Sequence, residues 1–166
     1  VTCEFGGKDD KALQKLTGRV LKAFGMQYSA SHTEFIKCHD DGQYYFLETS
    51  CRVGGAHLSD MVEASSGLNL WEEWAKLEIA VAQGEKYDLP AHTDINAGII
   101  VSLINEKTPN YDAYTDPEIC WKMTDMEYHI GMIVKSDDRD RVGQLLNQYA
   151  DRILQHNHAS APAPDK

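Results

Sequence analysis

No stretch of this sequence approaches the ~20 apolar residues that a bilayer-spanning helix requires. The longest fully apolar run lies near Ala97 to Val101 and includes a glycine. Basic residues are scarce, 16 Lys and Arg against 26 Asp and Glu, which leaves a formal charge of −10. A nucleic-acid binder draws its affinity from neutralising phosphates, so that balance excludes a general polyanion-binding surface. Cysteine is sparse and unpatterned. Cys3, Cys38, Cys51 and Cys120 form no CxxC pair and no zinc spacing, so reduced thiols and a cytoplasmic setting are expected. No internal repeat is visible. What remains is an ordinary globular composition, 42% hydrophobic and 25% charged over 166 residues, enough for one domain or two small lobes. The sequence starts at Val1 rather than Met, from which a fragment of a longer protein, or a processed end, is expected.

Periodicity predicts an α+β chain. Leu13, Leu16, Val20, Leu21 and Phe24 recur at helical spacing over residues 8–24, with Gly25 placed to end the helix. Residues 31–38 and 43–49 read as two strands around the Asp41-Gly42 turn signature. Helices are expected over about 56–66 and 70–81, the second with Trp71, Trp74, Leu77 and Ile79 packing inward. Beyond a polar linker after Tyr87, strands are expected at 96–104, 118–123 and 128–134. A helix over 139–154 then presents Val142, Leu145, Leu146, Tyr149 and Ile153 on one face, its start capped by the Ser136-Asp137-Asp138 stretch.

The informative segment runs from His32 to His57. Glu34 and Glu48 stand symmetrically about the Asp41-Gly42 turn, on strands expected to lie ~4.8 Å apart. If both point to one face, their carboxylates can converge on one divalent cation. Glu48, Ser50 and Arg52 are spaced by two, so an extended chain puts an acid, a hydroxyl and a guanidinium on one side. That set suits phosphoryl chemistry, in which a cation neutralises phosphate charge and an Arg clamps an anionic oxygen. The plainer reading of the same residues is a solvent face, with Glu34 a surface acid, Arg52 its ion-pair partner and Gly54-Gly55 an ordinary loop. His32 and His57 flank the segment and read first as hydrogen-bonded structural residues. Cys51, facing the other side, reads as a small buried apolar residue.

The phrases His32-Thr33-Glu34-Phe35 and Glu48-Thr49-Ser50-Cys51-Arg52, followed by Val53-Gly54-Gly55-Ala56-His57, resemble the C-terminal half of an ATP-grasp domain. That family carries a first acidic metal ligand on one strand and Glu-x-Asn-x-Arg on the next. It includes biotin carboxylase, carbamoyl-phosphate synthetase and many carboxylate–amine ligases. The resemblance implies a C-terminal ATP-grasp half over residues 1–86, an antiparallel sheet flanked by helices. It further implies a small α+β lobe over residues 87–155 and a flexible tail over 156–166. Glu34 and Glu48, with Ser50, would hold Mg2+ (or Mn2+ in its place) on the phosphates of ATP. Arg52 would be the catalytic residue, stabilising the transferring phosphoryl group. Gly54, Gly55 and His57 would line the cofactor and acceptor side. The implied activity is that of an ADP-forming ligase, which activates a small carboxylate as an acyl phosphate for attack by an amine or related nucleophile.

Two departures qualify this. Ser50 stands where the family has Asn, a shorter and poorer neutral ligand. The lysines and glycine-rich phosphate loop of a nucleotide lobe are not found, so the fragment alone is expected to be inactive. A biotin carboxylase-like or carbamoyl-phosphate-forming enzyme is the alternative within the class, and a non-catalytic α+β interaction module the alternative outside it. Neither a nucleic-acid nor a membrane partner is expected. An exposed sheet edge in the second lobe would allow a homodimer.

Overall fold

The computed structural model describes residues 1–156 as four helices and two antiparallel sheets, distributed over two compact units. The first unit comprises Cys3–Asp94, and the second takes Val1–Thr2 together with the chain from Ile95 on. The expected tail after residue 156 lies outside the described residues.

The first unit opens with helix α1, Lys8–Ala23. Asp9 and Asp10 sit in its first turn and Lys22 in its last, each favourable to the helix dipole. Gly25, at φ +69°, takes the left-handed position that closes it. Strands β1, His32–Lys37, and β2, Tyr44–Ser50, then form a two-stranded hairpin. The Asp-Gly signal is met by a wider loop than a two-residue turn. Cys38 N donates to Gln43 O at 2.8 Å and Gly42 N to Cys38 O at 3.0 Å. Helix α2 spans Leu58–Ser66 and helix α3 Leu70–Gln83. Asn69 caps α3, its side chain accepting from the backbone N–H groups of Trp71 and Glu72.

The linker after Tyr87 stays with this first unit. The Tyr87 hydroxyl donates to Glu73, and the Thr93 hydroxyl and N–H donate to the carbonyls of Ser65 and Ser66. Burial, followed by the Glu73 bond, pushes the Tyr87 hydroxyl up to about 12. The compact division accordingly falls after Asp94.

In the second unit, β3 (Asn96–Leu103), β5 (His129–Ser136) and β4 (Ile119–Lys122) form a sheet in the order β3-β5-β4. The central strand β5 is buried along most of its length, which is why it reads as a continuous apolar run. Helix α4, Arg139–His156, buries Val142, Leu145, Tyr149 and Ile153 against the sheet, as its spacing predicts. Its start is capped by Asp138, whose Oδ1 accepts from Asp140 N at 2.9 Å. The charges around this cap do more than face solvent. Arg141 reaches back to Glu118 Oε1 at 2.7 Å and to Asp116 Oδ1 at 3.1 Å, and the Tyr149 hydroxyl donates to Asp116 Oδ2 at 2.6 Å.

Hydrophobic burial is unequal between the units. The core cluster of Ile104, Tyr114, Ile130, Met132, Val134, Val142, Leu145, Tyr149 and Ile153 belongs wholly to the second. In the first, Val53 and Leu68 are the buried apolar side chains among the described residues, and α1 buries none. Trp71, expected inside, is 56% exposed and rests against Trp74 with ring centroids 6.2 Å apart. Ile79 is likewise exposed, whereas Glu73 of the same helix is buried and meets Lys76 and Tyr87. Cys51 is exposed rather than buried, since β2 ends at Ser50 and Cys51 falls in the bend that follows.

Candidate functional site

Pairing in the hairpin decides which side chains share a face. Glu34 is the direct antiparallel partner of Glu48, and His32 is the partner of Ser50. Partners opposite one another in an antiparallel pair project to the same side, as do residues two apart on one strand. His32, Glu34, Glu48 and Ser50 therefore form a two-by-two array on one face. Thr33 and Thr49 occupy the other face, their hydroxyls 2.8 Å apart. Between Glu34 and Phe35 the register shifts, which leaves Leu47 as the extra residue of a bulge immediately before Glu48.

Two carboxylates placed opposite each other repel, and such a pair costs stability unless a positive group neutralises it. Among the described residues the Glu34 carboxylate meets only His32, whose Nε2 lies 3.8 Å from Glu34 Oε1, and the Glu48 carboxylate has no ion-pair or hydrogen-bond partner. The donor set suits a hard divalent cation of the Mg2+ kind, which takes one or two protein carboxylates and completes its shell with water and substrate phosphate oxygens. It does not form a closed protein cage. No group of three His, Cys, Asp or Glu side chains able to hold a metal ion occurs among the described residues.

The spacing argument reaches Ser50 but not Arg52. Strand β2 ends at Ser50 and the chain bends through Cys51 and Arg52, so extended-chain parity no longer applies there. Arg52 Nη1 donates to the carbonyl of Val53 at 3.0 Å rather than pairing with Glu34. Its guanidinium stands beside the glycine turn, with Nη1 3.9 Å from where a Cβ on Gly55 would lie.

Neither Gly54 nor Gly55 adopts a left-handed conformation. That role falls to Ala56 and His57, with φ of 52° and 59°, two consecutive non-glycine residues in a region such residues seldom occupy. A Cβ on Gly54 would stand 3.4 Å from the His32 ring and 3.4 Å from Leu58 Cβ, so this glycine packs against both β1 and α2. His57 occupies the N-cap of α2 without a side-chain capping bond, and its Nδ1 lies 3.2 Å from Asp60 Oδ2.

Of the residues singled out in the sequence, the structure thus brings Glu34, Glu48 and Ser50 onto one face. Arg52, Gly54, Gly55 and His57 follow on the turn that leads from β2 into α2. His32 is the member that sequence reading set aside. The signal was available, since His32 precedes Glu34 by two just as Ser50 follows Glu48 by two.

The fold these elements make is a mixed α+β architecture of the ATP-grasp-like kind. Among solved structures, phosphoribosylglycinamide synthetase from Anaerococcus prevotii aligns over 98% of this chain with a TM-score of 0.57 and 18% sequence identity. The chain spans 44% of that protein's length. No family model matches the sequence, and no curated protein matches it either.

Proposed function

We propose that residues 32–57 are the cation- and phosphate-handling part of an ATP-dependent, ADP-forming ligase. Its substrates would be a small carboxylate and an amine or related nucleophile. The observation that carries this reading is the direct register of Glu34 with Glu48, an unneutralised carboxylate pair on one sheet face. Mg2+, when bound there with ATP, would supply neutralisation of phosphate charge. In the reaction so assigned, a carboxylate oxygen takes the terminal phosphoryl group and ADP leaves. The nucleophile then attacks the acyl carbon, and the C–O bond to phosphate breaks.

The chain's own side chains would serve this as follows. Glu34 and Glu48 bind and orient the cation, and the Ser50 hydroxyl offers a weaker third oxygen. Arg52 exchanges its bond to the Val53 carbonyl for one to an anionic oxygen of the transferring group. The Gly54–His57 turn carries the acceptor side. Because the chain spans less than half of the similar synthetase, turnover would require a nucleotide lobe beyond these residues, and the chain by itself would be inactive.

Titration of the 166-residue chain with Mn2+, with and without ATP, tests the assignment. Binding weakened at least about 10-fold in both Glu34→Gln and Glu48→Gln is expected, as for loss of a group that sets metal affinity. Affinity equal to that of the unaltered chain in both variants would sink it. A second reading, a non-catalytic interaction module, draws on the exposed apolar residues of the first unit, Phe24, Ile36, Tyr45 and Leu47 among them. An unaltered chain that binds no Mn2+ would favour that reading.

A further inference from the structure

The face that carries the acid pair holds one further group. His32 stands two residues before Glu34 on β1 and opposite Ser50 on β2. Its side chain is 24% exposed, against 42% for Glu34. One edge of the ring lies against Gly54, where an added Cβ would meet Cδ2 at 3.4 Å and Cγ at 3.7 Å. The ring nitrogen bonded to that Cδ2, Nε2, lies 3.8 Å from Glu34 Oε1. That separation exceeds a direct hydrogen bond, and a small rotation of the Glu34 side chain closes it. The same side of the imidazole therefore meets both the glycine turn that follows Arg52 and the Glu34 carboxylate.

We propose that His32 is a positioning residue for Glu34. Its ring donates Nε2–H toward Glu34 Oε1 and holds that carboxylate at the angle from which it shares a cation with Glu48. Gly54, lacking a side chain, leaves the space the ring occupies. This inference rests on the reading of Glu34 and Glu48 as a cation-binding pair. It adds that the pair is oriented by a side chain outside the set of ligands, as ligating carboxylates commonly are.

Two variants of the full chain separate donation from shape. His32→Phe keeps a ring against Gly54 and removes the donor, whereas His32→Gln keeps an N–H donor at similar reach. Mn2+ affinity is expected to fall about 10-fold in the Phe variant and to stay within about 2-fold of the unaltered chain in the Gln variant. Thermal midpoints serve as the check on folding. A Phe variant that folds and binds Mn2+ as tightly as the unaltered chain overturns the inference and leaves the acid pair's assignment standing. Absence of Mn2+ binding in the unaltered chain overturns both. Should the Phe variant fail to fold, proton NMR of the unaltered chain decides. Substoichiometric Mn2+ is expected to broaden the His32 ring signals ahead of those of the other histidines, and sharp His32 signals alongside demonstrated binding would refute the placement.

Discussion

Glu34 and Glu48 are direct partners across an antiparallel hairpin, so two like charges share one face of a sheet with only two strands. The only ion-pair contact of either among the described residues is the one from His32 to Glu34 at 3.8 Å. A pair in this position opposes folding and favours the binding of a cation, and those two effects can be measured with opposite signs.

Glu48→Gln is expected to raise the stability of the cation-free chain by about 0.5 kcal/mol in low salt, by removing the cross-strand repulsion. The same substitution should abolish the rise in melting temperature that Mn2+ gives the unaltered chain through binding to the native state. Thermal unfolding with and without the metal checks both halves. A substitution that destabilises the cation-free chain would show that Glu48 is held by contacts the structure does not contain.

In the second unit, acid should loosen the α4 anchorage. The Tyr149 hydroxyl, and then Arg141, hold the Asp116 carboxyl below its ordinary value of 3.8 against the opposing effect of desolvation. Arg141 holds Glu118 below its ordinary 4.5. For a depressed carboxylate the contribution is full above the unfolded value and is lost as pH falls through the folded one. Stability is therefore expected to be level above pH ~5 and to decline below pH ~4. Tyr149→Phe should cost about 1 to 2 kcal/mol at pH 7 and make the acid decline shallower. Urea unfolding midpoints between pH 7 and pH 3 provide the comparison, and an unchanged slope in the variant would contradict it.

Two glycines should respond in opposite directions. A Cβ on Gly98 would lie 2.5 Å from Leu146 Cδ1 and 3.0 Å from Val142 Cγ1, at the seam between β3 and α4. Gly98→Ala is expected to cost about 1 to 2 kcal/mol, less if Leu146 can turn aside. Gly143 lies within α4, where an added Cβ would meet nothing within 4 Å, and Gly143→Ala should stabilise by up to about 1 kcal/mol. Denaturant titration of the two variants side by side reads the difference.

Ala56 is exposed and has φ +52°. Ala56→Gly relieves the left-handed strain at the expense of a more flexible unfolded chain, and should stabilise by about 0.5 to 1 kcal/mol. Its effect on Mn2+ affinity is expected to be small, because Ala56 lies outside the array on β1 and β2. A loss of stability would indicate that the methyl group makes contacts worth more than the strain.

Element types were legible wherever one period dominated. The α4 stripe of Val142, Leu145, Tyr149 and Ile153 buries as its spacing predicts, and Asp138 caps the helix as expected. The near-symmetry of Glu34 and Glu48 about the turn was legible as well, although their direct pairing depends on the bulge at Leu47, since counting from the turn alone would set Glu34 opposite Leu47. What failed were inferences about environment. Trp71 and Ile79 carry apolar side chains at helical spacing, yet both are exposed among the described residues, so spacing could not stand in for burial. Arg52 was placed by assuming that β2 continued, whereas the strand stops at Ser50. Gly54-Gly55 marked a break in the sequence, but the left-handed residues of that turn are Ala56 and His57, which residue type does not signal. The tie from Arg141 to Asp116 and Glu118 links residues more than twenty positions apart, which no local pattern encodes.

Thr2 belongs to the second unit. Its N–H donates to Ala97 O at 2.8 Å, its hydroxyl accepts from Ala97 N at 3.2 Å, and its carbonyl accepts from Arg139 Nε at 2.9 Å. The backbone thus leaves that unit at Thr2 and re-enters it at Ile95, beside its point of departure. Everything carrying the acid array is an excursion whose two ends are pinned within a few ångströms of each other. The entropy of closing so long a loop grows only slowly with its length. Lengthening or shortening the intervening segment would consequently disturb the second unit far less than cutting the Thr2–Ala97 rung, which acts as the clasp.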